Sequence, residues 1–512
     1  MALESPVEGT SSLWQATCDV PSFAPLTQDV EADVCIVGAG LVGLTAALRL
    51  VRAGRRVVVL DSHQPGRGNT GRTTAHLASA LDDRFSELAR VRGLDAARQA
   101  WESHATAIDC IEAIARDEDI DCDFQRLDGY LWLAPDQDPD RLRRELETVH
   151  AFGWHTVQAM EEDPLFGRPC LRFPDQAQFH PLKYLAGLCA ALQRSGAVIY
   201  GDTRVEDIAG GPVVVTTTAH GHRVRSGAAI VATCSPICDR FAVHSKQASY
   251  TTYAIGLQLP PGSVPPGLYW DTIDPYHYVR LQPGGDGRGD VLLVGGEDHK
   301  TGQADDGERR FAALEAWTRA RVPAAQERLY RWSGQVFETL DGLAHIGPDP
   351  AGAANVYIAT GDSGMGMTHS TIAAMMLCAR ICDGESEWSQ LYDPRRRPLK
   401  AGGEFIRENA NVAAQYADWL RPGEVASVEE VAPGSGAILR SGLSRVAVYR
   451  DETGDLHACS AACTHLLGSV TWNHLEKTWD CPCHGSRFDR LGDVLAGPAR
   501  AGLRVLDPRT LR

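Results

Sequence analysis

The segment DVCIVGAGLVGLTAALRLVRAGRRVVVLD, residues 33–61, carries a clear structural signal near the start of the chain. A short apolar β-rich run, a glycine cluster, a helical pattern and a second β-rich run follow one another in it. Its most apolar part, residues 34–51, contains three glycines and Arg49, so a buried strand–turn–helix explains it better than a membrane span. The segment therefore predicts a βαβ unit.

The glycines of this segment predict a dinucleotide site. Gly38, Gly40 and Gly43 form the pattern G-x-G-x-x-G, and Asp61 follows 18 residues after the last of them. Such glycines permit a tight turn, a close approach of the backbone to a pyrophosphate, and close packing of helix on strand. The helix N-terminus offers N–H donors to the anion, and Asp61 can accept hydrogen bonds from ribose hydroxyls. An acid at this position disfavours NADP.

A second glycine cluster favours FAD over NAD. Gly361, Gly364 and Gly366 follow an apolar strand pattern, and a helical pattern containing Met367 and Thr368 comes after them. A second helix N-terminus at this place could face the electron-rich side of a reduced isoalloxazine ring. An ordinary turn between strand and helix is the alternative.

With these motifs the chain resembles the D-amino-acid-oxidase superfamily of flavoproteins, over about residues 31–385. The resemblance rests on VGAGLVGLTAALRL with Asp61, on TGRTTAHLAS (70–79) and on ATGDSGMGMT (359–368). The family usually has Glu where this chain has Asp61. The resemblance implies contacts with FAD along two segments, and these residues are Gly71, Arg72, Thr73, Thr74, Gly364, Met365, Gly366, Met367 and Thr368.

The same resemblance implies the fold of this part of the chain. A Rossmann-like FAD-binding domain would carry an inserted antiparallel-sheet substrate domain, roughly residues 110–190 and 246–345. Relatives similar to dimethylglycine dehydrogenase attach FAD covalently near the position of His76. For His76, close packing or hydrogen bonding near the flavin is the preferred interpretation.

The segment around residues 333–347 bears on the substrate. Amino-acid-oxidising relatives place an arginine there to bind the substrate carboxylate, and Gln335 stands at about that position. This favours amines or larger metabolites over simple α-amino acids. Arg280, which would share a strand face with Tyr278, could replace the anchor, or both could simply pack on the sheet surface. The charges of Glu297, Asp298 and His299 could line the pocket, bind the C-terminal module or form a solvated turn. The sequence points to no catalytic base.

The end of the chain contains C-T-H (463–465) and C-P-C-H-G (481–485). A Rieske centre needs two thiolates on one iron and two imidazoles on the other, and two loops that each carry one Cys and one His deliver this. A zinc site uses the same ligand types, but zinc fingers keep cysteines together and histidines together. The predicted cluster ligands are Cys463, His465, Cys481 and His484.

Residues 424–512 resemble Rieske domains, with short β-like runs that alternate with turns. Respiratory Rieske proteins carry an extra cysteine that forms a disulfide with the middle Cys of C-P-C-H. This chain has Gly468 at the expected position, so the resemblance implies that Cys483 is a free thiol. Phe488 stands where a tyrosine hydroxyl would donate to the cluster, which predicts a potential below the top of the Rieske range, roughly −150 to +300 mV.

The order of the two domains along the chain resembles that of bacterial FAD-dependent oxidoreductases with a C-terminal Rieske domain. The fold class expected is therefore α/β followed by all-β. Residues 1–30 are rich in Pro, Ser and Thr and predict an irregular arm, and residues 386–423 predict a charged, partly helical connector. The family does not supply a substrate.

Composition excludes several classes of function. The chain has 512 residues, an ordinary balance of 44% hydrophobic and 23% charged residues, and a formal charge of −16, which disfavours nucleic-acid binding. Its 14 cysteines predict reduced thiols or metal ligands. The N-terminus lacks the pattern of a secretory signal, so we expect a cytoplasmic protein without a transmembrane segment.

Two cofactors in one chain predict an electron-transfer enzyme. A flavin accepts two electrons at once as a hydride, and a Rieske cluster carries one electron. We therefore expect a dehydrogenase, rather than an oxidase, that oxidises an amine or amino-acid-like small molecule. Its electrons would pass through the cluster to an external carrier such as a ferredoxin or a quinone.

Other interpretations remain open at this stage. The cluster could instead feed a biosynthetic flavin monooxygenase or reductase, or the chain could be a redox carrier or sensor that has no substrate cavity. A Rieske oxygenase would need a mononuclear iron site of two histidines and a carboxylate, and the sequence offers no persuasive triad.

Overall fold

The computed structural model describes residues 10–238, 241–284, 289–382, 384–397, 402–442 and 444–511. Within these ranges, no helix combines the length and the apolar character that crossing a bilayer requires.

The predicted βαβ unit lies in the middle of a six-stranded sheet, the nucleotide sheet. Strand Val34–Val37 is buried throughout, helix Leu41–Arg52 follows the glycine turn, and strand Val57–Leu60 pairs in parallel with the first strand. Such short apolar strands fit a parallel sheet that is covered on both faces. In spatial order the strands are His345–Pro348, Val356–Thr360, Ala228–Val231, Val34–Val37, Val57–Leu60 and Val198–Tyr200.

The helix after the second glycine cluster, Gly366–Cys382, packs against the helix of the βαβ unit and against helix Leu94–Asp117. It buries residues around most of its circumference, because other helices and the sheet surround it. Helix Pro181–Arg194 also packs against helix Leu41–Arg52. The two predicted glycine turns therefore meet in one domain.

A nine-stranded sheet, the inserted sheet, forms the second body of the N-terminal part. Its neighbouring strands run antiparallel except for Leu268–Asp271, which pairs in parallel with Gln125–Trp132. The fold class predicted for this part is confirmed. Its strands in spatial order are Arg328–Thr339, Gln247–Leu259, Asp290–Lys300, Tyr278–Gln282, Leu268–Asp271, Gln125–Trp132, Cys170–Gln178 and His76–Leu77, with Gln158–Met160 also paired to Cys170–Gln178.

A smaller sheet and several helices complete this part of the chain. The four strands are Val30–Glu31, Arg223–Ser226, Val214–Thr218 and Val205–Ala209. The further helices are Phe85–Arg92, Asp140–Ala151 and Gly307–Arg321, with 3₁₀ helices at Asn69–Arg72 and His244–Lys246.

The region predicted to be an irregular arm contains a short helix, Leu13–Thr17. Ser12 and Gln15 form a capping box at its start, a signal that the sequence S-x-x-Q carries. Trp14 is fully buried, and its indole N–H donates to the carbonyl oxygen of Thr73 at 2.6 Å. Burial of this large aromatic side chain stabilises the position of the short helix. Residues 1–9 of the predicted arm lie outside the described residues.

The C-terminal domain is all-β, as predicted, with two four-stranded sheets around its own core. Helix Gly402–Gln415 and the 3₁₀ helix Tyr416–Leu420 lead into it, and the Tyr416 hydroxyl donates to the carbonyl oxygen of Leu466 at 2.7 Å. The first sheet contains Ser435–Ser441, Ser444–Arg450, Leu456–Ser460 and Val505–Leu506, and the second contains Thr471–Asn473, Thr478–Asp480, Arg487–Phe488 and Val494–Ala496. Two 3₁₀ helices, Val428–Glu430 and Pro508–Thr510, flank these strands.

Candidate functional site

A cavity of about 370 Å³ lies between the nucleotide sheet and the inserted sheet, and the C-terminal domain also contributes to its lining. The two glycine turns and the segment after residue 70 open onto it. The predicted cofactor residues that line it are Gly38, Gly40, Asp61, Arg72, Thr73, Thr74, Gly361, Gly364, Met365, Gly366 and Met367.

The glycine turn shows the close packing that a dinucleotide fold requires. A Cβ atom at Gly38 would lie 2.4 Å from the carbonyl oxygen of Ala232, and one at Gly43 would lie 1.9 Å from the carbonyl oxygen of Gly38. A Cβ atom at Gly40 would meet only the Thr70 hydroxyl, at 3.3 Å. The backbone at Gly40 is therefore open to the cavity, as a bound pyrophosphate needs.

Asp61 lies where the sequence predicts it, beside the glycine turn. Its carboxylate accepts hydrogen bonds from the backbone N–H groups of Ala39 at 2.6 Å and His63 at 2.8 Å. Each carboxylate oxygen keeps a further lone pair, because an ionised carboxylate can accept about four hydrogen bonds. The open glycine backbone, the helix N-terminus and this carboxylate together fit FAD.

Three of the predicted residues lie one layer behind the cavity. Gly43 has the packing role expected of it, and the cofactor contacts of Gly71 and Thr368 stay predictions. A Cβ atom at Gly71 would lie 2.3 Å from the carbonyl oxygen of Gly66, so this glycine permits close packing of its own loop. The Thr368 hydroxyl is 2.7 Å from Nδ1 of His104, which lies on the neighbouring helix.

Arg72 lines the cavity, but its guanidinium group binds the C-terminal domain. It donates to the carboxylate of Glu476 at 2.6 Å and to the carbonyl oxygen of Ser333 at 2.7 Å. Glu476 is completely buried and also forms an ion pair with Arg487. The sequence could not predict this contact, because 404 positions separate Arg72 from Glu476.

The four predicted cluster ligands form two neighbouring pairs of like residues in the C-terminal domain, one of cysteines and one of histidines. Cys463 and Cys481 are buried, and their thiols are close enough to interact with each other. The rings of His465 and His484 lie beside each other with centroids 5.1 Å apart. A pair of thiols and a pair of imidazoles fit the ligand set of a two-iron Rieske cluster.

The loop of Gly468 lies against Cys483. A Cβ atom at Gly468 would be 2.6 Å from the Cys483 sulfur. Position 468 therefore lies beside Cys483, where the extra cysteine of respiratory Rieske proteins is expected. Cys483 is a free thiol, as the resemblance implied. Phe488 is fully buried in the core of this domain, and its effect on the potential stays a prediction.

Family comparisons agree with this geometry. A family model described as FAD dependent oxidoreductase matches residues 33–380, and a Rieske [2Fe–2S] domain model matches residues 421–507. The chain belongs to the FAD-dependent oxidoreductase family. Its cofactors are FAD and a Rieske [2Fe–2S] cluster, which decides against the zinc alternative.

One relative of this oxidoreductase aligns with nearly the whole chain, and others align with about three quarters of it. YhfW of Bacillus subtilis (strain 168), by name a Rieske 2Fe-2S iron-sulfur protein, is 32% identical over 509 residues and covers 98% of both chains. Gamma-glutamylputrescine oxidoreductase of Escherichia coli (strain K12) is 25% identical over 396 residues, covering 74% of this chain and 90% of its own. The glycine oxidase structure from Geobacillus kaustophilus has a TM-score of 0.59 at 18% identity, over 72% of this chain and 99% of its own.

The end of the cavity beside the second glycine turn, where the flavin ring is expected, carries a group of acidic side chains that the sequence did not single out as a set. They come from four segments of the chain and interact electrostatically with one another. We call them the cavity carboxyls, and they are Asp82, Asp83, Asp298, Glu338 and Asp362.

Asp82 sits next to the second glycine turn. A Cβ atom at Gly364 would lie 1.9 Å from its carboxylate, and the hydroxyl of Tyr276 donates to it at 2.6 Å. One side of Asp82 is packed by protein and the other opens to the cavity. Burial raises the pKa of Asp82 to about 7. The hydrogen bond from Tyr276 lowers this pKa, but its effect is weaker.

Asp298 approaches the cavity from the inserted sheet. Its Oδ1 atom is buried and accepts no hydrogen bond from any residue that the structure describes. Burial raises the pKa of Asp298 to about 6. An acceptor without a donor is costly in a buried place, so this atom is ready to accept a hydrogen bond from a ligand. Of the cluster named from the sequence, Asp298 is the member that lines the cavity.

The two candidate pocket residues on strand Tyr278–Gln282 separate. Tyr278 lines the cavity, and its hydroxyl is 2.7 Å from the Thr252 hydroxyl. Arg280 is fully buried away from the cavity and donates to the carbonyl oxygens of Ala75 at 2.7 Å and Phe179 at 3.2 Å. The suggestion that Arg280 replaces the substrate-binding arginine is therefore wrong, because backbone oxygens hold its guanidinium group.

His76 and Gln335 also line the cavity. Burial lowers the pKa of His76 to about 3, and its ring packs edge-on against Tyr278 with centroids 5.7 Å apart. The Gln335 amide donates to the carbonyl oxygen of Gly485 at 2.8 Å, so its side chain contacts the Rieske domain. The position expected for a substrate anchor is thus used for contact between the domains.

Proposed function

We propose that this chain is a cytoplasmic amine dehydrogenase. It would oxidise an amine with its FAD and release the electrons, through its Rieske cluster, to an external one-electron carrier such as a ferredoxin or a quinone. When bound, FAD supplies a two-electron hydride acceptor and the cluster supplies a one-electron carrier.

One observation carries the choice of an amine: the flavin-ring end of the cavity is acidic. Among the described residues that line the cavity, the guanidinium groups belong to Arg72, Arg204 and Arg500. Each of them donates to oxygen atoms of the protein outside the cavity carboxyls. A substrate carboxylate would meet like charge there, whereas an ammonium group would be attracted.

The residues of this end can bind and prepare an amine. Asp298 can accept a hydrogen bond from an ammonium group through its open oxygen, and Tyr278 and His76 form a ring-lined side of the pocket. Hydride transfer needs a neutral amine nitrogen. Asp82, with its pKa near 7, is suited to take the proton that the ammonium group must lose before oxidation.

The relatives support this proposal. The name of gamma-glutamylputrescine oxidoreductase points to an amine-bearing substrate, and that protein aligns with 74% of this chain. The proposal of a dehydrogenase rests on the presence of the cluster, since a built-in one-electron carrier makes oxygen unnecessary as the acceptor.

An anaerobic screen of amines and amino acids tests the proposal. We expect an amine without an α-carboxylate to bleach the flavin absorbance and then to produce the EPR signal of the reduced cluster. No NAD(P)H should be needed. In air, hydrogen peroxide should form much more slowly than an added one-electron acceptor is reduced.

Two outcomes would contradict the proposal. Flavin reduction by α-amino acids alone would contradict the choice of amines. Reduction of both cofactors only when a reduced carrier is supplied would instead support a flavin monooxygenase or reductase fed by the cluster.

A further inference from the structure

Gln335 joins the flavin cavity to the Rieske domain. We propose that Gln335 is a positioning residue that holds the His484 loop against the cavity, and that electrons cross between the two cofactors at this contact. The proposal rests on the electron exchange of the proposed function but not on the identity of the substrate.

The backbone of Gln335 belongs to the cavity side. Its carbonyl oxygen accepts a hydrogen bond from the side-chain amide of Asn69 at 2.9 Å, and both residues line the cavity. The same amide group of Asn69 lies 3.1 Å from the sulfur of Cys234, which also lines the cavity. This end of Gln335 is therefore fixed to the 3₁₀ helix Asn69–Arg72, which contains the predicted FAD contacts Gly71 and Arg72.

The side chain of Gln335 belongs to the cluster side. Its Nε2 atom donates to the carbonyl oxygen of Gly485 and to the Ser249 hydroxyl, both at 2.8 Å. Gly485 directly follows the predicted ligand His484. With 6% of its surface exposed, Gln335 is held in one position by these contacts.

Gly485 allows the two surfaces to approach this closely. Its φ angle is +73°, and a Cβ atom there would lie 2.3 Å from the Ser249 hydroxyl oxygen and 2.7 Å from Nε2 of Gln335. Any side chain would push the His484 loop away from the inserted sheet. The glycine that ends the C-P-C-H-G motif is thus also needed for contact between the domains.

A second, independent contact brings the histidine ligands to the same side. The ring of His244 lies 4.9 Å from that of His465 and 6.2 Å from that of His484, measured between centroids. The 3₁₀ helix of His244 runs directly into strand Gln247–Leu259. Gln247 accepts a hydrogen bond from the Thr360 hydroxyl at 3.1 Å, beside the second glycine turn. Both predicted histidine ligands therefore face the FAD domain.

The rest of the interface keeps this contact in place. Glu476 joins Arg72 of the cavity to the Rieske domain, and Arg204 donates to the carbonyl oxygen of Val494. Arg500 donates to the carbonyl oxygen of Ile237 at 2.6 Å. A fixed distance matters because the rate of electron transfer falls steeply as two centres move apart.

The step balances when it is written as two single transfers. Each transfer removes one electron from the reduced flavin and reduces one ferric iron of the cluster to the ferrous state. An external one-electron acceptor must reoxidise the cluster before the second transfer. The two protons released on complete reoxidation of the flavin pass to solvent.

The experiment uses the complete protein loaded with both cofactors, without any substrate. The flavin is photoreduced anaerobically, and reduction of the cluster is followed by its absorbance and EPR signal. For the unmodified protein we expect a rate that is independent of protein concentration. Failure of the amine screen would leave this measurement unaffected, so the two proposals can fail separately.

The decisive variant is Gln335→Met, which keeps the length of the side chain and removes the donor. We expect cluster reduction to slow about tenfold. Loss of one hydrogen bond should lower the population of the docked conformation by about this factor. The cofactor content and the reduction potential of the cluster should not change.

Gln303→Met is the matched control. Gln303 donates to the carbonyl oxygen of Pro482, in the same ligand loop, but it lies outside the cavity lining. This variant should reduce its cluster at the unmodified rate. Equal rates for Gln335→Met and the unmodified protein, or equal losses in both variants, would overturn the proposal.

A further variant tests the proposal if Gln335→Met folds poorly. His244→Leu removes the ring contact with the predicted histidine ligands and should also slow cluster reduction. A rate that rises with protein concentration in the unmodified protein would overturn the proposal without any variant, because electrons would then cross between molecules.

Discussion

Glu476 and Asp82 are both enclosed carboxyl groups, but their surroundings differ in one respect. Arg487 and Arg72 neutralise Glu476, whereas the nearest charged neighbours of Asp82 are other carboxyls. Burial alone would raise the pKa of Glu476, but the two arginines outweigh it and hold this pKa at about 2. In Asp82 burial prevails, and its pKa is about 7. The two carboxyls therefore differ in role: Glu476 joins two domains, whereas Asp82 is open to the cavity.

Removing the charge of Glu476 should have the largest effect. Glu476→Gln leaves Arg72 and Arg487 buried without a full counter-charge, which should lower the free energy of unfolding by about 3–5 kcal/mol. Urea denaturation measures this change. Glu452→Gln is the control, because Glu452 pairs with Lys477 at the surface and should cause no measurable change. Similar stabilities for the two variants would show that the arginines do not need Glu476.

Removing the charge of Asp298 should affect binding rather than folding. Asp298→Asn should raise the KM for an amine substrate about 10- to 100-fold, the usual range for loss of a hydrogen bond to a charged group. The free energy of unfolding should stay equal or rise, since a poorly solvated charge is removed. Asp95→Asn, at an aspartate that is 72% exposed, should change neither quantity. An unchanged KM in Asp298→Asn would remove Asp298 from the substrate site.

The pH dependence of stability should distinguish the two carboxyls with a smaller effect. In the substrate-free protein, folded Asp82 keeps its proton up to about pH 7, while the unfolded chain loses it near pH 4. The folded state therefore binds more protons in this interval, and its stability should fall as the pH rises from about 4 to 7. Asp82→Asn should flatten this decline in thermal unfolding curves.

Glu476 should act in the opposite direction at lower pH. Its stabilising ionisation is complete above about pH 4 and is lost as the pH falls towards 2, because the folded state must then accept a proton. The same curves should show this acid-induced loss in the Asp82→Asn protein. Identical pH profiles of stability for Asp82→Asn and Glu476→Gln would contradict the conclusion that the two carboxyls have opposite surroundings.

Local motifs explain which parts could be predicted from the sequence. The glycine turn, Asp61 and the four cluster ligands lie within short segments whose chemistry depends on spacing alone. The helix Leu13–Thr17 was missed, although its capping residues stand in the sequence, because composition outweighed the local signal.

Long-range contacts explain what could not be predicted. The cavity carboxyls come from segments far apart in sequence, and only the folded chain shows that Asp82 and Asp298 belong together. The strand pattern placed Tyr278 and Arg280 on one face, but it could not show that carbonyl oxygens of Ala75 and Phe179 would capture the guanidinium group. A strand pattern predicts the direction of a side chain, but its hydrogen-bond partners in the folded chain determine its role.

The N-terminal arm has a consequence for synthesis of the protein. Ser12 donates to the carbonyl oxygen of Gly71 at 2.6 Å, and the Thr10 hydroxyl donates to Glu476 at 3.1 Å, across 466 positions. Thr10 leaves the ribosome long before Glu476, so the loop that carries Arg72 cannot acquire all its partners until the iron–sulfur domain has been translated. The flavin pocket therefore reaches its final form late, when the Rieske domain is already attached.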